Sequence, residues 1–268
     1  MEIAPRPFGE LLSEGVTVLT RVWLRLLAPA FWAFVALGGL TIAVFAVTGS
    51  GDFLRLILDD PAALDQLTDD ELLEPASRLL FSAVVAIVLQ LLATGFVNLV
   101  AHKIVASDIA GIATPKNKAV SNALSRLVVL AIAGFVAIVS IIVGLAAFVV
   151  PGIWLAGSFS MLSAVVALED LGPIAALRRS LELVRGRWWA TVGFLILVGL
   201  LGSAAAQLVQ LIALPVLASG DLGLGAGLGF VFLIVVQGMI VAAIAVMTTV
   251  WYIDLRARKE SLLTTTLT

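Results

Sequence analysis

The chain has no cysteine, one histidine and one tyrosine among 268 residues, and only 13% of its residues are charged. Without thiols there is no disulfide, thiolate-bound metal or cysteine nucleophile, although the redox compartment stays open. A lone histidine, His102, does not make a histidine-rich metal site. No ionisable residue falls at the centre of any long apolar run. Such groups cost roughly 2.5–3.5 kcal/mol on membrane-insertion scales, so they persist where a relay needs them. Their lack argues against a proton- or sodium-coupled transporter. It argues equally against an intramembrane protease or membrane transferase, for want of paired acids, a histidine cluster or a nucleophile–base set. The expectation is a protein that is not an enzyme and takes no cofactor or metal.

Apolar residues are what the chain has in plenty: 61% are hydrophobic and the mean hydropathy is +1.14. A soluble domain of this length has no interior large enough for them. The sequence therefore predicts an all-α, polytopic membrane bundle, residues 1–268 forming a single integral membrane domain. Six spans are expected at about 24–47, 79–100, 127–150, 153–168, 190–217 and 230–251. Most are long enough for a hydrocarbon core of about 30 Å, and the fourth is short. An amphipathic interfacial helix is expected at 8–22, with Phe8, Leu11, Leu12, Leu19 and Val22 on one side. Glu2, Glu10 and Glu14 stand where a signal peptide would be basic, so no cleavable signal is expected.

The loop at 48–78 carries eight acidic residues against Arg55 and Arg78. Its interleaved leucines predict short helices resting on the membrane. It lacks the alternating oxygen ligands and central glycine of an EF-hand, which favours a solvated acidic face. Glycines alternate at 220–229, GDLGLGAGLG, but no βαβ unit surrounds them, so they read as a flexible, closely packing connection.

The most informative stretch is 169–189, EDLGPIAALRRSLELVRGRWW. Ile174, Leu177, Leu181, Val184 and Trp188 recur at helical spacing, with Arg178, Arg179, Glu182 and Arg185 off that stripe. Pro173 suits a first helical position. Arg178, Arg179, Arg185 and Arg187 beside Trp188 and Trp189 are what a helix on an anionic leaflet needs, each exposed cation adding about 1 kcal/mol of attraction. The same residues also fit a topogenic loop holding neighbouring spans in place, or a contact with a partner membrane protein. Nucleic acid is a poor partner, because Glu182 interrupts the cluster and the arginines hug the membrane.

With six spans, fourteen of the 16 lysines and arginines lie on the side of the termini, which places both termini in the cytoplasm. That count requires Pro151–Gly152 to be a turn rather than a kink. Trp23, Trp188, Trp189 and Trp251 would form an aromatic belt on that side. Pro7, Arg21 and Trp23 recur at the spacing of Pro173, Arg187 and Trp189, with a shorter echo from Pro115 to Arg126. This is the outline of an interfacial helix feeding a two-span hairpin, three times over.

Within the spans the polar residues are uncharged: Gln90, Thr94 and Asn98 on the second, Gln207 and Gln210 on the fifth, Gln237 on the sixth. They fit hydrogen bonding between helices, or a polar crevice for a lipid headgroup or small solute. Gly199 with Ser203, or Gly202 with Ala206, gives small-xxx-small spacing beside the glutamines.

VPGIWL at 150–155, LED-LGP at 168–173, AALRRS at 175–180, LVRGRWW at 183–189 and WYIDLRAR at 251–258 together resemble a family of bacterial multi-pass membrane proteins. It is the family of the glycerophosphoryl diester phosphodiesterase membrane domain and its uncharacterised relatives. The resemblance covers most of the second half. In the enzyme that names the family, catalysis belongs to a separate soluble barrel with acidic metal ligands and histidines. This chain has no such barrel, so the activity is not implied. What the resemblance implies is a bacterial inner-membrane protein whose membrane part positions or regulates something else. The expectation is an accessory or scaffold engaging anionic lipid headgroups or a partner protein, with an uncoupled lipid or small-solute transporter as the alternative.

Overall fold

A computed structural model describes residues 6–59, 67–112, 115–218 and 224–260; side chains at 54, 55, 58, 59, 69, 70, 212–218 and 224–231 are left undescribed. Among the described residues the chain is all helix, with six helices long and apolar enough to cross a membrane. The helices are α1 (Phe8–Thr48), α2 (Ser50–Asp59), α3 (Asp69–Ile109), α4 (Lys116–Ala147), α5 (Val149–Ser158), α6 (Leu162–Leu168), α7 (Pro173–Val184), α8 (Trp188–Ala218) and α9 (Leu224–Lys259). The chain divides into two compact units: Met1–Phe31 with Thr94–Thr268, and Trp32–Ala93.

The smaller unit holds the second half of α1, all of α2 and the first half of α3. Gly49, at φ +68, turns the chain between α1 and α2. The hydroxyls of Thr48, Ser50 and Ser82 then close on one another at 2.7–2.9 Å, with Ser50 and Ser82 buried. At the start of α3, Glu71 accepts from both the backbone N–H and the hydroxyl of Thr68, so one carboxylate satisfies an otherwise unpaired amide. The acidic residues at 60–66 lie outside the described residues, as do 220–223 of the glycine-rich stretch, whereas 224–229 begin α9.

In the larger unit the structure departs from the expected boundaries. No break separates an interfacial helix at 8–22 from a first span at 24–47: α1 is continuous over 41 residues, about 60 Å. Its buried stripe, Leu11, Val18, Val22, Leu26 and Ala30, runs straight through the expected boundary. The polar cluster at Arg21–Arg25 contains no helix breaker, so a change of polarity leaves the helix intact.

Between the third and fourth spans the break falls at Phe148, in extended conformation (φ −156, ψ 136), and Pro151 sits inside the first turn of α5. A proline is tolerated there because the amide it removes has no helical acceptor. The junction is a true turn. Arg126, early in α4, reaches Asp170 beyond α6, while a Cβ on Gly144 would lie 3.0 Å from the Gly152 backbone. The chain therefore returns to its starting end. The returning span, Val149–Leu168, is interrupted at 159–161. Ser180 of α7 donates to the buried carbonyl of Ser158 at 2.8 Å, meeting an acceptor that the end of α5 leaves open.

A Cβ at Gly152 would come within 2.6 Å of the Leu145 backbone nitrogen, whereas one at Gly134 would meet nothing. Gly152→Ala should therefore lower stability by about 1–3 kcal/mol, the usual cost of overpacking. Gly134→Ala should leave it unchanged or slightly raised. Thermal melts of the two purified variants test this.

Candidate functional site

Charge in the larger unit gathers where α6, α7, α8 and α9 end or begin. Glu169 closes α6, its carboxylate 16% exposed, and accepts from Arg179 Nε at 2.9 and 3.1 Å and from the Tyr252 hydroxyl at 2.7 Å. Arg256 stands 3.9 Å away and pairs with Glu260 at 3.1 Å, while Arg179 also pairs with Glu260. Lys259 donates to the Glu182 carbonyl, near the end of α7. One turn back on α9, Asp254 accepts from the Arg6 amide at 2.9 Å and from Arg258 at 2.6 Å. Arg6 also pairs with Glu14, and Arg21 with Asp108 at 3.0 Å.

These contacts separate the arginines that the sequence grouped together. Arg179 is held from both sides by acids. Arg178 and Arg185 are exposed, Arg187 is partly exposed, and none of the three pairs with another described residue through its side chain. The reason is local. α7 buries Ala176, Leu177, Ser180, Leu183 and Val184, so Leu177 and Val184 of the expected stripe are inside, whereas Ile174 is left 52% exposed and Leu181 half-buried. Small residues at 176 and 180 let α7 approach its neighbours closely, which rotates Arg179 inward and Arg178 outward.

Nor does the helix continue to residue 189. Arg185 leaves helical geometry (ψ 126) and Gly186 takes φ +89, a region that disfavours any residue with a Cβ. The two tryptophans part here. Trp188 donates from Nε1 to the Trp154 carbonyl at 3.0 Å, and a Cβ on Gly157 would collide with its ring. Trp189 is 82% exposed, its ring edge-on to Trp188 at 4.7 Å. Trp251 does not join an aromatic belt. It is buried, stacked on Phe194 at 4.5 Å with Phe8 edge-on at 6.0 Å, and donates to Thr191 at 3.1 Å.

His102 is likewise interior and fully buried. Thr249 Oγ1 donates to the Ala245 carbonyl, so it accepts from His102 Nδ1 at 2.7 Å; Nε2 then accepts from Ser163 at 3.0 Å. The imidazole thus ties α3, α6 and α9 together. Sequence spacing gave no hint of this, since its partners lie 61 and 147 positions away. Among the described residues no three His, Asp or Glu side chains gather as a metal set.

Gln90, Gln207, Gln210 and Gln237 are all exposed, and Asn98 and Thr94 are partly buried. Gly202, not Gly199, makes the close contact, facing Ile244 and Ile240 of α9. A Cβ on Gly199 would meet open space. Family models, characterised proteins and solved structures give no match to this chain.

Burial alone would raise the Glu260 carboxyl, but hydrogen bonds and charge from Arg179, and then from Arg256, hold it below its ordinary value of 4.5. A lowered acid stabilises the fold above its unfolded value and loses that contribution as pH falls through the folded one. The melting temperature should therefore hold near neutrality and drop below pH about 4.5. Glu260→Gln should begin lower at pH 7 and fall less steeply over the same window.

Proposed function

We propose that this chain is a non-enzymatic bacterial inner-membrane protein with both termini in the cytoplasm. It acts as an accessory or scaffold whose α7–α8 turn engages anionic lipid headgroups. The observation that carries this reading is the division of the arginines. Arg178, Arg185 and Arg187 stand without an acidic partner among the described residues, next to a tryptophan that is 82% exposed. An unpaired guanidinium with five donors suits a phosphate, and an exposed indole at the head of a spanning helix suits the lipid interface.

The orientation rests on the positive-inside rule, and the hairpin between α4 and α5 supports the count that it uses. Lys116 and Lys118, exposed at the start of α4, add to the same end. Arg179 has no part in the headgroup contact, because Glu169 and Glu260 already hold it. The alternative is an uncoupled lipid or small-solute transporter using the polar faces that carry Gln90, Asn98, Gln207, Gln210 and Gln237.

Mass spectrometry of lipids and proteins that leave the native membrane with the chain in mild nanodisc extraction tests the reading. Anionic lipid should be enriched with the wild type. Converting Arg178, Arg185 and Arg187 together to glutamine should abolish most of that enrichment, at about 1 kcal/mol for each charge. Unchanged enrichment would end the headgroup reading. A stoichiometric protein retained in place of lipid would transfer the same surface to a partner.

A further inference from the structure

We propose that the lipid headgroup taken at the α7–α8 turn carries two phosphates, and that Lys259 of α9 helps to hold one of them. The proposal rests on the headgroup reading and narrows it to one class of lipid. Lys259 is exposed and donates to the Glu182 carbonyl, in the last turn of α7. Carbonyls at a helix C-terminus lack intrahelical partners, and an ammonium there meets the negative end of the dipole. This contact takes one of the three ammonium donors and leaves two.

Like charge gathers around that contact. Arg185, the residue that caps α7, lies near enough to repel Lys259, as does Arg179, whereas Glu182 attracts it. Arg179 is already balanced by Glu169 and Glu260. The Glu182 carboxylate is 67% exposed and stands 3.9 Å from Arg179, so water and a second cation weaken its pull on Lys259. Neither Arg185 nor Lys259 pairs with an acidic side chain among the described residues. The fold thus holds two cations side by side at the end of α7. An anion set between them turns that repulsion into two charge-assisted contacts, and phosphate oxygens suit both a guanidinium and an ammonium.

Across Gly186 lies a second place for an anion. Arg187, Trp188 and Trp189 line an open recess of about 650 Å³ at the head of α8, with Arg187 as its cation. The exposed Trp189 sets the recess at the lipid interface. Arg185 and Arg187 are two residues apart, so their Cα atoms stand no more than about 7.6 Å from each other. A lipid with one phosphate fills either place and leaves the other open. Two phosphates joined by a short polyol bridge fill both, and that is the headgroup of a cardiolipin-type lipid.

The test is native mass spectrometry of the full chain from nanodiscs of zwitterionic lipid that also hold cardiolipin and phosphatidylglycerol at equal phosphate. The wild type should retain cardiolipin about fivefold over phosphatidylglycerol per phosphate, the equivalent of the roughly 1 kcal/mol that one cation contributes. Lys259→Gln should bring the two lipids near parity, and Arg185→Gln, at an exposed residue, should do the same. Lys259→Arg, which keeps the charge, should restore the preference. Equal retention by the wild type overturns the two-phosphate site and leaves the headgroup reading standing. A cardiolipin preference that survives both glutamine variants does so too. Retention of neither anionic lipid above the zwitterionic one overturns both.

Discussion

A carboxylate kept away from bulk water must be surrounded by donors, and Glu169 is where this molecule meets that demand. Its side chain is 16% exposed and takes hydrogen bonds from Arg179 and Tyr252, with Arg256 close behind. Breaking a shielded pair from one side leaves a charge that is poorly solvated, which is costlier than never having the pair. Three helices depend on this one group: α6 ends at it, α7 presents Arg179 to it, and α9 presents Tyr252 and Arg256. The tie of His102 to Ser163 and Thr249 joins α6 and α9 further along, and adds α3.

The division of the arginines follows from that arrangement. Once α7 is fixed by its small residues and by Arg179, Arg178 has to point away from the protein. The glycine turn at 186 then carries Arg185 and Arg187 out beside Trp189. A cluster that looks uniform in sequence holds one structural residue and three that are available to an outside anion. The proposed headgroup function is a function of those three.

Fold class was legible in the sequence because apolar length and charge distribution are local properties, written in consecutive residues. The opening of α7 at Pro173 was legible for the same reason. Boundaries were less so. The stripe from Leu11 to Ala30 keeps α1 going where polarity pointed to a break, because the neighbours it packs against are distant in sequence. The buried face of α7 was legible only in part: Leu177 and Val184 are inside as the spacing predicts, but the spacing argument weighed large apolar residues and passed over Ala176 and Ser180, which determine which side can be approached closely. Trp251 went from the interface to the interior on the same ground, and the burial of His102 was hidden likewise: their partners, Phe194, Thr191, Ser163 and Thr249, come from other helices.

The central claim is that Glu169 and Arg179 act as a coupled pair on which α7 and α9 are set. A double-mutant cycle measures it directly, using unfolding free energies of wild type, Glu169→Gln, Arg179→Gln and the double variant in one detergent or nanodisc. The account predicts a coupling of about 1–3 kcal/mol, the range for residues in a shared ion-pair network. Additive losses, with a coupling near zero, would contradict it and leave Arg179 as one more surface cation.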